Sequence, residues 1–220
     1  MALCAVFFDL DDTLCDTIGS RPARARIAAE LLATEHEHLR VEDLVERIME
    51  PAGERTVRGV RRVVEDLDLA GTVSGKAALA GWFFTGCLNT LRSFDGVAET
   101  LQTLAPVYRL GVITNGDREG QQAKLAHLRL PIAYAITSGE CGYEKPDPAI
   151  FHLALEQAGV AAWESVFVGD RLDVDVAGAK AAGMRAVWFN HFGGLPAEDD
   201  VRPDAVITRF SDLPAVLAHM

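Results

Sequence analysis

Six short apolar runs recur along the chain and predict the strands of one sheet. Each run is rich in valine, isoleucine or phenylalanine and is continuous rather than alternating with polar residues. Continuous apolar strands are typical of a parallel sheet that is covered on both faces. The pattern therefore predicts parallel strands at residues 3–9, 108–114, 132–137, 165–170, 185–190 and 204–208.

Helical patterns fill most of the intervals between these runs. The clearest is "DPAIFHLALEQAG", in which Asp147 can cap the N-terminus, Pro148 suits the first helical position and Gly159 suits the C-terminal end. A second helix is predicted to be capped by Asp173 and to end at Gly183. The alternation of strands and helices predicts an α/β fold, a doubly wound and Rossmann-like parallel sheet.

One long interval departs from this alternation. Residues 16–92 contain no convincing strand, and helical patterns occupy residues 24–39, 41–50 and 57–69. We therefore expect an α-helical domain at residues 16–92, inserted after the first strand. Residues 1–15 and 93–220 would then form the α/β core.

Polar side chains stand where several of the apolar runs end. In open parallel sheets ligands bind at the carboxyl ends of the strands, so we expect these side chains to converge on one crevice. A further segment, "YEKPDP", follows the third run, and Pro146 biases the backbone of Lys145 toward an extended conformation. The other polar residues of this set are Asp9, Asp11, Thr114, Asn115 and Asp170.

The first polar cluster is crowded with negative charge. Asp9, Asp11 and Asp12 lie within four consecutive positions. Carboxylates this close repel one another and destabilise a fold unless positive charge compensates them. The sequence therefore indicates a site at which positive charge compensates these carboxylates.

Composition narrows the class of partner. The chain has 220 residues, 49% of them hydrophobic and 24% charged, which is typical of a globular protein. A net charge of -11 disfavours nucleic acid and anionic membranes as partners. No apolar run approaches the ~20 residues of a membrane-spanning helix, and the first residues lack a basic leader. The 4 cysteines form no CxxC pair, which predicts free thiols in a cytoplasmic protein.

Four motifs now carry a resemblance to a known family. "DLDDT", "ITN", "EKPDP" and "VGDRLDVD" resemble, in order, the four motifs of the haloacid dehalogenase (HAD) superfamily. The helical insert stands where that superfamily carries its type-1 α-helical cap. Four motifs in the expected order are far more specific than a single DxDxT.

The resemblance implies the roles of a phosphatase. Asp9 would be the nucleophile that forms an aspartyl-phosphate, and Asp11 would serve as general acid and then as general base. Thr114, Asn115 and Lys145 would bind the phosphate oxygens, and Lys145 would also offset charge on the nucleophile.

The resemblance also implies a Mg²⁺ cofactor. The ligands would be Asp9, the backbone carbonyl of Asp11, and Asp170, with Asp175 supporting the metal waters or Lys145. The cation and the lysine together would compensate the crowded carboxylates.

Other members of the superfamily provide the alternatives. Dehalogenases typically lack the second aspartate of DxD, whereas Asp11 is present, and the phosphomutase motif resembles "FDLDGV" rather than "DLDDTL". Phosphonate hydrolases need a cap lysine, and Lys76 is the lone lysine of the insert, with no sign of activation around it. A non-catalytic module that only binds a phosphorylated ligand would be expected to lose Asp9 or Asp11. A phosphatase of small phosphorylated metabolites is favoured, with mutase, 2-haloacid dehalogenase and binding module left open.

The substrate is less constrained than the chemistry. "FFDLDDTL", "VITNGD" and "GYEKPDPAIF" resemble both N-acylneuraminate 9-phosphatases and 5′-nucleotidases, so a sugar phosphate or a nucleotide monophosphate is expected. We expect a monomer or a homodimer. Most of the cap arginines should be surface partners of nearby acids, while one or two could contact the leaving group; they are Arg21, Arg24, Arg26, Arg55, Arg58, Arg61 and Arg62.

Overall fold

The computed structural model describes residues 2–36, 38–50, 58–197 and 201–220. The chain divides into two compact units. The first unit joins residues 1–16 to residues 93–220, and the second is formed by residues 17–92. No strand lies among the described residues of the second unit.

The first unit is built on a six-stranded, all-parallel sheet, as the apolar runs predict. Its strand order is β3-β2-β1-β4-β5-β6, which places β1 and β4 at the centre. This is the order of a doubly wound, Rossmann-like fold, so the predicted fold class is confirmed. The strands are β1 (Ala5–Phe8), β2 (Arg109–Thr114), β3 (Tyr134–Thr137), β4 (Ser165–Gly169), β5 (Arg185–Phe189) and β6 (Ala205–Ile207).

Eleven α-helices lie in the described residues. Five belong to the second unit: α1 (Arg21–Ala33), α2 (Val41–Met49), α3 (Arg58–Asp66), α4 (Val73–Ala80) and α5 (Gly86–Thr90). Six flank the sheet: α6 (Val97–Leu104), α7 (Arg118–Leu128), α8 (Ser138–Cys141), α9 (Pro148–Ala158), α10 (Ala177–Ala181) and α11 (Leu213–Leu217). Short π-helical turns lie at Gly81–Thr85 and Leu172–Val176, and 3₁₀ turns at Ala162–Glu164 and Phe210–Asp212.

Burial on both faces explains the continuous apolar strands. All four residues of β1 and all five of β4 are buried, because helices cover each side of the sheet. On one face Phe151 of α9 packs edge-on against Phe167 of β4, with ring centroids 5.1 Å apart. The packed core thereby fixes where the strands end, and the polar residues follow at those ends.

The predicted boundaries of α9 are confirmed, whereas the cap of the next predicted helix is wrong. The Asp147 side chain accepts a hydrogen bond from the backbone N–H of Ala149, and Gly159 ends α9 in the left-handed conformation. Asp173 does not cap: it lies inside the π-helical turn and pairs with the Arg171 guanidinium at 2.6 Å. A nearby arginine competes for its carboxylate, and sequence spacing does not reveal that competition.

The second unit is a small helical assembly with its own core. The predicted helices correspond to α1, α2 and α3, while α4 and α5 were not predicted because they are rich in alanine, glycine and small polar residues. Gly59 permits the close approach of α3 to α2, since a Cβ there would lie 2.1 Å from the carbonyl oxygen of Ile48. The assignment of residues 16–92 as a cap stays a prediction.

Two of the arginines considered from the sequence pair with acids of the second unit: Arg26 pairs with Glu30 and Arg62 with Glu50. Arg47, which was not among them, pairs with Asp66. Arg24 differs, because its guanidinium lies 4.8 Å from the ring centroid of Trp82 and donates to the carbonyl of Thr17. Arg55 and the side chain of Arg58 lie outside the described residues.

Two remaining expectations concern the whole chain. The four cysteines are free thiols. Among the described residues, no helix combines the length and apolar character needed to cross a membrane.

Candidate active site

The carboxyl ends of the strands meet around a cavity of about 200 Å³ in the first unit. Because β1, β2 and β4 are parallel neighbours in register, the residues that follow them emerge at the same edge of the sheet. All of the residues proposed from the sequence line this cavity: Asp9, Asp11, Thr114, Asn115, Lys145, Asp170 and Asp175. Their location together is as expected; their roles stay predictions.

A buried lysine bridges two buried carboxylates at the centre of the site. The Lys145 Nζ donates to Asp9 Oδ1 at 2.6 Å and to Asp175 Oδ1 at 2.7 Å. The Lys145 side chain is 2% exposed. Burial alone lowers the pKa of Lys145, but the charges of Asp175 and Asp9 outweigh it and raise that pKa above its ordinary value. Lys145 is therefore a fixed positive charge.

The Asn115 side chain positions Lys145 by hydrogen bonds to the Lys145 backbone. The Asn115 Oδ1 accepts from the Lys145 N–H at 2.8 Å, and the Asn115 Nδ2 donates to the Lys145 carbonyl at 3.0 Å. The Phe167 ring lies 5.2 Å from the Lys145 Nζ and closes the apolar side of the site. The family resemblance implies that Asn115 contacts phosphate. The structure adds a link from the Asn115 side chain, in the second motif, to Lys145 in the third.

Asp170 is the most perturbed carboxyl of the site. Burial, followed by the charges of Asp175, Asp9 and Asp12, raises the pKa of Asp170 to about 9. Burial likewise raises the pKa of Asp9 to about 7, against the lowering effect of Lys145. One lysine therefore does not compensate all the carboxylates, and the site favours a further positive charge.

Two contacts hold Asp170 in place. The Trp188 indole Nε1 donates to the Asp170 carbonyl at 2.8 Å, and the Thr13 hydroxyl donates to Asp170 Oδ1 at 3.3 Å. Thr13 therefore reaches from the first motif to the last. A contact between residues 157 positions apart leaves no local pattern in the sequence.

The carboxylates fit a divalent cation. Carboxylate oxygens of Asp9, Asp170 and Asp175 lie within 4.8 Å of one another. Both oxygens of Asp175 already accept hydrogen bonds, one from Lys145 Nζ and the other from the Arg171 N–H. The Asp9 and Asp170 oxygens are thus the better placed ligands for a hard cation such as Mg²⁺. The Asp11 carboxylate is not part of this cluster.

Asp11 instead faces helix α7. The Lys124 Nζ donates to its two oxygens at 2.6 and 2.8 Å, and the Gln121 Nε2 donates to Oδ2 at 3.0 Å. Sequence reasoning missed both donors. The available signal was their spacing of three residues after "ITNGD", which places them on one face of α7.

The loop that follows β1 also has a partner that sequence reasoning missed. Asp12 adopts a left-handed conformation with φ 61°, consistent with a turn position. The His191 Nε2 donates to the Asp12 carbonyl at 2.9 Å. Burial lowers the pKa of His191, against the raising effect of that contact. His191 follows the fifth apolar run.

The chain is similar to a protein family and to several known proteins. The family model for haloacid dehalogenase-like hydrolases matches residues 4–183. N-acylneuraminate-9-phosphatase of Rattus norvegicus is 29% identical over 97% of this chain and 93% of its own. Glyceraldehyde 3-phosphate phosphatase of Pyrococcus abyssi is 33% identical over 84% of this chain and 81% of its own. The solved structure of a 2-haloacid dehalogenase from Pseudomonas syringae is 36% identical with a TM-score of 0.71, covering 99% of each chain.

The electrostatics predict how stability depends on pH in chelator. The pKa of Asp170 rises from an ordinary 3.8 to about 9 on folding, so the folded protein retains a proton that the unfolded chain releases. This contribution to stability is fully present below about pH 4 and is lost as the pH rises through about 9. The unfolding temperature of metal-free protein should fall between pH 5 and pH 9, and should fall less in Asp170→Asn.

Asp173→Asn is the matched control, since Asp173 is exposed and pairs with Arg171. It should follow the wild-type pH profile. Equal losses of unfolding temperature in wild type and Asp170→Asn would contradict the electrostatic account.

Proposed function

Because the chain belongs to the haloacid dehalogenase-like hydrolase family, we propose that it is a Mg²⁺-dependent phosphatase of small phosphate monoesters. The observation that carries the proposal is a pair of carboxylates, two residues apart, in different surroundings. Asp9 contacts the buried Lys145, while Asp11 contacts Lys124 and Gln121 at the cavity wall. Two carboxylates held in different environments suit a nucleophile and an acid–base group.

The first step transfers the phosphoryl group to Asp9. A carboxylate oxygen of Asp9 attacks phosphorus, an O–P bond forms, and the P–O bond to the leaving group breaks. Asp11 delivers its proton to the departing oxygen, so an alcohol leaves. The contact between Lys145 Nζ and Asp9 Oδ1 aims the carboxylate and leaves its other oxygen for the attack.

The second step hydrolyses the aspartyl-phosphate. Asp11, now a carboxylate, takes a proton from water as the water oxygen bonds to phosphorus. The bond between phosphorus and the Asp9 oxygen breaks, which releases inorganic phosphate and returns Asp9 as a carboxylate and Asp11 as the protonated acid.

Hydrogen-bond donors held by the fold would stabilise the negative charge on the transferred phosphoryl group. The Thr114 hydroxyl, the Asn115 backbone N–H and the Lys145 ammonium would contact its oxygens. Mg²⁺ would be held by Asp9, Asp170 and the Asp11 carbonyl, with Asp175 fixing Lys145. When bound, the cation would neutralise negative charge on the phosphoryl oxygens and on the carboxylates.

A 2-haloacid dehalogenase is the second candidate, favoured by the 36% identity to the solved structure with that name. A halide leaves as an anion and needs no proton donor. The two donors that hold Asp11 would then have no catalytic purpose, so the Asp11 contacts favour phosphate esters. Phosphomutase and a non-catalytic binding module remain weaker alternatives.

Relatives indicate the class of substrate. Proteins named as phosphatases of an N-acylneuraminate 9-phosphate and of glyceraldehyde 3-phosphate match most of this chain. We therefore favour sugar phosphates and similar small metabolites, with nucleotide monophosphates as the alternative. Four free thiols suit an enzyme of the reducing cytosol.

Metal removal tests the cofactor. Protein treated with chelator should hydrolyse neither p-nitrophenyl phosphate nor sugar phosphates, because the cation that would neutralise charge on the phosphoryl oxygens would be absent. Added Mg²⁺ should restore phosphate release, measured colorimetrically. A 2-chloro acid assayed in parallel should release no chloride; chloride release without phosphate release would support the dehalogenase instead.

Substitution of Lys145 tests the central cation. Lys145→Ala should lower kcat on the order of 10²–10³-fold, because a preorganised charge is lost from the site. It should also lower the unfolding temperature, since removing one partner of a buried ion pair leaves uncompensated carboxylates. Kinetics are to be measured where circular dichroism shows folded protein, and wild-type kcat there would refute the role.

The two aspartates are separated by their dependence on the leaving group. Asp9→Asn should be inactive on every ester, since no covalent intermediate forms. Asp11→Asn should still be phosphorylated by p-nitrophenyl phosphate, whose phenolate leaves readily without an acid. Its intermediate should hydrolyse slowly, because general base catalysis is worth about 10²–10⁴-fold. We expect a burst of nitrophenol near one enzyme equivalent, and little burst with alkyl phosphates.

Mass spectrometry of quenched Asp11→Asn should show phosphate on Asp9. A folded variant that releases nitrophenol with no adduct on Asp9 would overturn the covalent mechanism.

A further inference from the structure

Helix α7 carries two donors that nothing in the four motifs assigns. Gln121 and Lys124 lie three residues apart on one face of the helix, which is N-capped by Asp117 in the loop that follows β2. The Gln121 side chain is buried, and the Lys124 side chain is 16% exposed. Both are therefore placed by a rigid element rather than by a loop.

Lys124 fixes the Asp11 carboxylate by contacting both of its oxygens. The distances, 2.6 and 2.8 Å, are those of charge-assisted hydrogen bonds. The Asp11 side chain is 30% exposed at the cavity wall, so apolar packing alone does not hold it. A two-point contact with an ammonium restricts the rotamer of this aspartate.

Gln121 connects Asp11 to the phosphate-binding loop. Its Nε2 lies 3.0 Å from Asp11 Oδ2, 2.8 Å from Thr114 Oγ1 and 3.0 Å from the Asn115 carbonyl oxygen. The carboxylate and the carbonyl are acceptors only, which identifies this group as the amide NH₂. One side chain thus links the first and second motifs.

This contact also sets the direction of the Thr114 hydroxyl. The Gln121 amide has two hydrogens for three acceptors, and its shortest contact, 2.8 Å, is with the Thr114 oxygen. Because that oxygen accepts from Gln121, the hydrogen of the Thr114 hydroxyl must point elsewhere. The bond that it donates, to the Asn115 carbonyl, is 3.5 Å long, at the outer limit for a hydrogen bond. That hydrogen is therefore available for a shorter bond to a phosphate oxygen.

We propose that Lys124 and Gln121 are positioning residues: Lys124 holds Asp11 for proton transfer, and Gln121 orients Thr114 as a phosphate donor while bracing Asp11. The proposal rests on the proposed phosphatase function, in which Asp11 is the acid and base and Thr114 binds phosphate. Gly116 adds to the arrangement, because a Cβ there would lie 3.0 Å from the Gln121 Nε2. A side chain at position 116 would crowd the Gln121 amide, and glycine leaves room for it.

The test separates the two chemical steps. An aryl ester hardly needs Asp11 for phosphorylation of Asp9, whereas hydrolysis of the intermediate needs it. A displaced Asp11 therefore slows the second step selectively. Lys124→Met should lower steady-state kcat for p-nitrophenyl phosphate about tenfold to a hundredfold and should produce a nitrophenol burst near one enzyme equivalent. A loss of packing alone would not create a burst.

The chain offers a matched control in Lys180. Its Nζ pairs with both oxygens of Asp204 at 2.8 and 2.9 Å, a similar two-point contact whose residues do not line the cavity. Lys180→Met should keep wild-type kcat and show no burst. Lys124→Arg, which preserves a two-point contact, should recover most of the activity. Gln121→Met should raise the inhibition constant for inorganic phosphate at least severalfold, because Thr114 loses its orientation.

The outcomes distinguish the two proposals. A wild-type protein that hydrolyses no phosphate ester with Mg²⁺ would refute the phosphatase function and this inference with it. If wild type turns over and Asp11→Asn shows the burst, while Lys124→Met behaves like Lys180→Met, the positioning role alone is overturned. Should Lys124→Met lose its cooperative unfolding transition, Lys124→Gln is measured in the same way, with the same result expected.

Discussion

A buried lysine between two buried carboxylates is the interaction on which the rest of the site depends. Lys145 joins Asp9, after β1, to Asp175, in the turn after β4. Buried charges are tolerated only when they are paired and hydrogen-bonded, and this pair is held to a narrow geometry by its surroundings. Asn115 fixes the lysine backbone, and Arg171 N–H satisfies the second oxygen of Asp175. The sheet order brings these segments together, and the ion pair then locks their relative positions.

The same ion pair does not compensate every carboxylate of the site. Asp9 and Asp170 retain raised pKa values, about 7 and about 9, because burial and neighbouring carboxylates outweigh one lysine. A site in this state gains stability from a bound cation and from any ligand that brings one. For the function that we propose, this arrangement would favour a bound cation together with an anionic substrate.

Asp11 is separated from this cluster although it is two residues from Asp9. The backbone turns after β1, and Asp12 in that turn has a left-handed conformation. The His191 side chain donates a hydrogen bond to the Asp12 carbonyl. Asp11 consequently lies against α7, where Lys124 and Gln121 contact it, while Asp9 lies against Lys145. Two neighbouring carboxylates thus acquire different surroundings, which is how one short motif can supply both a nucleophile and a proton-transfer group.

The sequence by itself determined the six strands, the parallel sheet, the position of α9 and the set of residues at the strand ends. These features follow from apolar continuity, helix-capping chemistry and the rule that parallel strands end at one edge, all of which act locally or through simple topology. Only the tertiary structure decided the partners of those residues. Thr13 contacts Asp170 across 157 positions, Lys124 contacts Asp11 across 113, and Asp173 pairs with Arg171 instead of capping a helix. Each partner is decided by which donor lies nearest in the folded chain. The periodicity of the sequence does not encode that distance.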